Sequence, residues 1–224
     1  MSEHDNELEP PPLPLPEAFY DRAPQHVASD LIGKSLIRRT DDGICGGLIV
    51  ETEAYLASND PASHAFRGQT KRNSSMFGPP GSLYVYTIHA KYCCNAVTQQ
   101  EGIGSAVLIR ALEPVWGVRL MQNRRQQEEP LRLCRGPAML CQALAIDLRH
   151  DGASLKDDSV VWIGDRPPKV KLGPIVATSR IGISQAVERQ LRFFVRDHPF
   201  VSGPKNRHSQ GRRVRVQRYK HRVV

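Results

Sequence analysis

Leu48-Ile49-Val50-Glu51-Thr52-Glu53-Ala54-Tyr55 is the stretch on which the reading of this chain turns. It is rich in β-branched and apolar residues and follows an Asp41-Asp42-Gly43 turn, so it reads as a strand. Strand side chains alternate between faces. Leu48, Val50, Thr52 and Ala54 then form a packed side, and Ile49, Glu51, Glu53 and Tyr55 project from the other. Two carboxylates and a phenol thus stand in one row. A carboxylate beside an aromatic ring and shielded from water can act as a general base. The bland alternative is an exposed sheet face that carries charge for solubility.

Outward from that strand the chain mixes strands and helices. A helix is expected over residues 17–33, ended by Gly33, with a strand near Ser35–Arg38. Further strands are expected at Leu83–Ile88, Ala106–Leu112, Val160–Ile163, Ile175–Thr178 and Leu191–Val195. Helices are expected to open at Glu113-Pro114 and at Gly136-Pro137, since proline suits the first helical turn. Regular βαβ alternation is missing, which argues for an α+β fold with a largely antiparallel sheet. Residues 57–82 read as a long polar loop holding His64, Arg67, Lys71 and Arg72. Loops of that length are usually functional or disordered.

Composition narrows the function. The chain has 224 residues with 40% apolar, enough for a core. No apolar run is long enough to cross a bilayer. The start is acidic and proline-rich, unlike a signal peptide. Five cysteines without a paired CxxC fit neither a disulfide scaffold nor a common zinc site, so no metal is expected. No glycine-rich phosphate loop is present. A soluble, cytoplasmic protein is the expectation. Residues 1–16 read as a Pro-rich disordered lead, 17–203 as the domain and 204–224 as a basic tail. From Ser202 onward there are eight Lys and Arg and no acid, so the whole net charge of +8 lies there. Such a tail suits nucleic acid, because phosphate contacts release counterions; it also suits a merely solvated end.

Tyrosines add a second clue. Only 14 of the 224 residues are aromatic, yet Tyr84, Tyr86 and Tyr92 cluster within nine positions. Tyr84 and Tyr86 share a face. Near a basic loop they suit nucleobase stacking, or else a cross-strand aromatic cluster.

Taken together, several stretches resemble the alkyladenine DNA glycosylase family, also called the 3-methyladenine or N-methylpurine DNA glycosylase family. They are Val50–Tyr55, Arg72-Asn73 with Met76-Phe77, Pro80–Tyr86, Leu108–Pro114, Gly136–Leu144 and Leu191–Val195. The resemblance covers roughly residues 25–203. It implies an α+β fold, a single compact domain with a curved, mainly antiparallel sheet and flanking helices, like the carboxy-terminal domain of methionyl-tRNA formyltransferase. It also implies a monofunctional, monomeric enzyme without a cofactor. Such an enzyme flips alkylated or deaminated purines, of the 3-methyladenine, hypoxanthine and ethenoadenine class, out of double-stranded DNA. It then hydrolyses the N-glycosidic bond with a Glu-activated water, in base excision repair. A bacterial, nucleoid-associated setting goes with the compact length.

Carried over by residue, Glu53 is the general base and Arg110 lies near the attacking water. Tyr55, His64 and Tyr86 line the base pocket, and Asn95 opposes the 2-amino group of guanine. His89 is the expected DNA wedge, with Lys91 and Arg72 as further DNA contacts. The stretch Ile88-His89-Ala90-Lys91 departs from the family's Ile-Tyr-Gly-Met, and Tyr86 to Asn95 is one residue shorter than the mammalian pattern. A binding module without catalysis, or a sensor that does not cut, would share the pocket without releasing base.

Overall fold

The computed structural model describes residues 10–204, 208 and 211–214. The elements run α1 (Glu17–Tyr20), α2 (Pro24–Leu31), β1 (Ser35–Thr40), β2 (Gly43–Tyr55), β3 (Leu83–Ile88), β4 (Lys91–Val97) and β5 (Ala106–Trp116). They continue with α3 (Val118–Arg125), α4 (Pro137–Ala143), β6 (Val161–Gly164), β7 (Ile175–Thr178), β8 (Arg192–Val195) and β9 (Arg212–Arg213). The strands form one sheet in the order β3-β4-β5-β2-β8-β7-β9, with β1 bridging β2 and β6. Every described strand pair is antiparallel. The α+β expectation holds.

β2 is the spine of the sheet. Its first half pairs with β1, its second half pairs with β8, and β5 runs along its other edge. Such close packing requires glycine at position 47. A Cβ there would lie 2.1 Å from the Glu113 carbonyl oxygen. The main core lies between the sheet and α2 and α4, and takes in Val27, Leu31, Ile49, Ile109, Leu112, Leu140 and Leu144.

The simple alternation expected for β2 breaks in its middle. The β2–β5 register shifts between Ile49 and Glu51 and again between Glu51 and Thr52. Ile49 therefore belongs to the main core, while Val50 joins Ala111, Val176, Phe194 and Val201 in a separate cluster. Thr52 donates to the Ala28 carbonyl on α2 at 2.8 Å, so it and Ala54 face the helices. A bulge places two successive residues against one partner and re-aims the side chains beside it. Here the opposing irregularities aim Glu51 and Glu53 from β2, and Arg110 from β5, into one space.

Other expectations are corrected. The 17–33 helix is two helices, because Pro24 forces Ala23 into an extended conformation, ψ 134°. No helix opens at Pro114. β5 continues to Trp116, with Pro114 beside the register shift opposite Gly46 and Gly47. The helix starts at Val118, after Gly117 has turned into the left-handed region at φ 60°. Lys91 lies on a strand: His89 and Ala90, at φ 46° and 60°, make a two-residue hairpin turn closed by Ile88 and Lys91.

Both ends are also more tied down than expected. Residues 1–9 lie outside the described residues, but residues 10–16 pack on the domain. Leu15 is buried and donates to the Ile163 carbonyl at 2.8 Å, and Trp162 donates to the Pro12 carbonyl at 2.8 Å. The open edge of β6 satisfies a proline-rich segment that has few donors of its own. In the 204–224 stretch, His208 is buried, and Arg212 and Arg213 form β9 on β7. Lys205, Arg207, Arg215, Arg218, Lys220 and Arg222 lie outside the described residues.

Candidate active site

Glu53 has no exposed surface, and its carboxylate accepts three hydrogen bonds. Oε2 takes one from the Tyr55 phenol at 3.0 Å and one from Arg110 Nη1 at 3.1 Å. Oε1 takes one from the Ile181 amide at 2.7 Å. Burial pushes the Glu53 pKa above the ordinary carboxylate value, against the pull of Arg110 and the Ile181 amide. The neighbouring Glu51 behaves in the opposite sense. It is equally buried, yet Arg110 and Arg192 outweigh the cost of burial and hold its pKa below the ordinary value. Two carboxylates driven apart in this way can take different parts in acid–base chemistry.

Tyr55 is fixed from behind. The Arg180 guanidinium lies 4.6 Å from its ring centroid. Arg180 is itself clamped by Asp60 through bonds of 2.7 and 2.6 Å, with a third to the Ala54 carbonyl at 3.0 Å. Asp60 also accepts from the Leu56 amide at 3.0 Å. This one ion pair thus ties the end of β2 to the loop that carries Ile181.

A cavity of about 150 Å³ opens beside these groups, lined by Tyr55, Ala62, His64, Met76, Tyr84, Tyr86, Ile88, Asn95, Gly182 and Ile183. His64 and Tyr86 meet edge to face at 4.6 Å, and His64 Nδ1 is hydrogen-bonded to the Tyr84 phenol at 2.9 Å. His64 is partly open to solvent, but shielding of its ring keeps its pKa below the usual histidine value, which favours the neutral imidazole. Asn95 is buried and donates to the Tyr84 carbonyl at 2.9 Å.

The 57–82 loop is an ordered pocket wall. It contains 3-10 turns at His64–Arg67 and Ser74–Phe77, and Ala65 and Met76 pack on Tyr84. Asn73 holds it closed: Oδ1 accepts from the Thr70 amide at 2.6 Å, and Nδ2 donates to the carbonyls of His64 (2.9 Å) and Gly68 (3.1 Å).

The structure therefore brings Glu53, Arg110, Tyr55, His64, Tyr86 and Asn95 together. Arg72 is exposed and does not line the pocket. His89 and Lys91 are exposed at the hairpin tip, and Ile88, 46% exposed, reaches the pocket rim. Sequence reading missed Asp60, Arg180, Arg192 and the Ile181 amide. Only Arg192 left a trace, as a cation inside the otherwise apolar run Leu191–Val195. Among the described residues no group of three or more His, Cys, Asp or Glu is placed to hold a metal ion. Nor is any helix among them long and apolar enough to cross a membrane.

The sequence model of the methylpurine-DNA glycosylases matches residues 18–199. The chain belongs to the methylpurine-DNA glycosylase family. It is 48% identical over 205 residues to a candidate 3-methyladenine DNA glycosylase of Rhodopirellula baltica, covering 89% of this chain and 87% of that one. It is 47% identical over 192 residues to a candidate of the same activity from Methanoculleus marisnigri, covering 85% and 99%. A third such protein, from Carboxydothermus hydrogenoformans, is 46% identical over 189 residues, covering 84% and 98%. This methylpurine-DNA glycosylase is thus a DNA repair hydrolase of N-glycosyl compounds, and its substrate is carried on DNA.

Proposed function

We propose that this glycosylase excises alkylated and deaminated purines from double-stranded DNA by direct attack of water, with Glu53 as the general base. The observation that carries the reading is the Glu53 carboxylate, buried beside a pocket lined by tyrosines and a histidine and held by Arg110 and Tyr55. An ionised carboxylate has about four acceptor positions. Three are occupied, so one is left to take the proton of the attacking water. The negative charge on Glu53 also stabilises the oxocarbenium-like sugar as the bond breaks.

A purine inside a duplex is out of reach of such a site, so it must be flipped out, at a cost of a few kcal/mol. Tyr55, His64 and Tyr86 would hold the flipped base between them. Their π faces attract a cationic base such as 3-methyladenine. Neutral hypoxanthine or ethenoadenine needs more help, and His64 can supply a hydrogen bond. Asn95 would oppose the guanine 2-amino group. The wedge that fills the gap in the duplex is assigned to the hairpin tip, with the apolar Ile88 beside His89. Lys91 and Arg72 would meet phosphates. The same proposal includes a monomer acting in the bacterial cytoplasm without a cofactor, and a fold like the carboxy-terminal domain of methionyl-tRNA formyltransferase.

Single-turnover release of base from a duplex with one hypoxanthine, and of 3-methyladenine from methylated DNA, tests the reading. Wild type should release base and leave alkali-labile sites. Glu53→Gln should bind the same duplex without releasing base. Undiminished release by Glu53→Gln would remove Glu53 from the mechanism.

A further inference from the structure

Glu51 is a buried carboxylate that the excision chemistry above does not use, yet it is among the most heavily bonded groups in the protein. Its Oε1 accepts from Arg110 Nε at 3.0 Å and from Arg192 Nε at 2.6 Å, and its Oε2 accepts from the Ser202 amide at 2.8 Å. Arg110 is thereby stretched between two acids, with Nε on Glu51 and Nη1 on Glu53. Arg192 Nη2 reaches the Ser202 carbonyl at 3.4 Å, and the buried His208 lies 3.0 Å from that same carbonyl. The anchoring atoms come from β8 and from the segment after it, which reaches past the family-matched residues 18–199.

We propose that Glu51 is a positioning residue for base excision: anchored by Arg192 and the Ser202 amide, it takes up half of the Arg110 guanidinium and keeps that cation from pairing fully with Glu53. The inference rests on the reading of Glu53 as the base. A guanidinium can fork onto a single carboxylate through two parallel bonds. Such a fork on Glu53 would tie up both of its oxygens and quench its basicity. With Nε committed to Glu51, Arg110 keeps one bond to Glu53, enough to orient it, and Glu53 keeps an acceptor position for water. Two acids and two arginines make this cluster neutral, so the buried charges balance without a proton on either acid. The charge environment supports the division, because Glu51 is held ionised by its two arginines while its negative charge adds to the upward push on Glu53.

The charged and titratable groups that face Glu53 are Glu51 and Tyr55 on β2, Arg110 on β5 and Cys93 on β4. Arg180 lies behind Tyr55, and Arg192 behind Glu51. Removing the Glu51 charge leaves Arg110 to Glu53 alone and lowers the Glu53 pKa. Removing Arg192 leaves Glu51 to draw on Arg110 alone and raises it. The two substitutions therefore carry opposite signs.

The test is single-turnover release of hypoxanthine from a duplex across pH, using the full chain and the variants Glu51→Gln, Arg192→Gln and Glu53→Gln. Glu51→Gln should slow release by on the order of 10²-fold through displacement of Arg110, and its acid limb should move to lower pH. Arg192→Gln should move the acid limb to higher pH. Slower release with both limbs unmoved, or limbs that move the other way, would reduce Glu51 to a structural role and overturn the proposal. The Glu53→Gln control separates the two ideas. If that variant still releases base, the reading of Glu53 fails; if it is inactive and the other limbs do not move, only the role of Glu51 fails. Should the Glu51 and Arg192 variants not fold, carboxyl-carbon NMR of glutamate-labelled wild type decides. Glu51 should stay ionised across the pH range in which the resonance lost in Glu53→Gln titrates, and coincident titration would overturn the proposal.

Discussion

Asp60→Ala isolates the ion pair behind Tyr55. Neither Asp60 nor Arg180 exposes any side-chain surface. The substitution removes two short charge-assisted bonds to Arg180 and leaves the Leu56 amide without its acceptor. Breaking a buried ion pair from one side costs about 3–5 kcal/mol, because the remaining charge stays buried and unpaired. In a domain of this size that lowers Tm by roughly 6–20 °C. Arg180→Met should cost a comparable amount, and the double variant should recover much of the loss, since no charge is then stranded. Burial by itself would raise the Asp60 pKa, but Arg180 and the Leu56 amide hold it below the ordinary value. The Asp60 contribution is therefore present above the unfolded-state pKa and lost as pH falls through the folded one. Urea unfolding of the four proteins at neutral and acid pH measures all of this. A coupling energy under about 0.5 kcal/mol, or a loss in Asp60→Ala that does not shrink at acid pH, would refute the reasoning.

Tyr55→Phe keeps the aromatic ring but removes the phenol bond to Glu53, so, with Glu53 as the proposed base, the acid limb of base release should move to higher pH. The rate at neutral pH should fall about tenfold, from the loss of a bond to a charged group; an unmoved limb would count against the bond. Asn73→Ala should cost about 1–3 kcal/mol by denaturation and weaken binding of a lesion duplex, since the four side-chain bonds that close the pocket wall are removed. Binding unchanged in that variant would mean that the wall does not shape the pocket. Deletion of residues 215–224 spares the buried His208 and β9, and removes four cations. The salt dependence of non-specific DNA affinity should flatten by about 0.9 in slope for each phosphate that the shortened chain no longer neutralises, with the chemical step intact. If Glu53 is the base proposed above it acts ionised, and because burial raises its pKa, activity should then rise with pH above the ordinary carboxylate range. A limb at the ordinary value in pH–rate profiles would contradict the burial argument.

The sequence by itself determined the class of fold, the central strand and most of the groups around Glu53. Runs such as Leu48–Tyr55 and Leu83–Ile88 carry strand composition, and a motif written along one strand keeps its spacing in the fold. Only the tertiary structure decided which way those side chains point. A one-residue bulge reverses strand parity, and nothing local in Ile49-Val50-Glu51 reports it, because it depends on the register with β5. For the same reason Pro114 misled: it looks like a helix start until Gly46 and Gly47 are set opposite it. The hairpin turn at His89-Ala90 was hidden because neither residue is the glycine or asparagine that left-handed turns favour. Asp60 and Arg180 are 120 residues apart, and Glu51 meets Ser202 across 151. Pairings over such distances follow from chain topology rather than local preference. The groups that hold the site in place therefore became visible only once the strands were laid side by side.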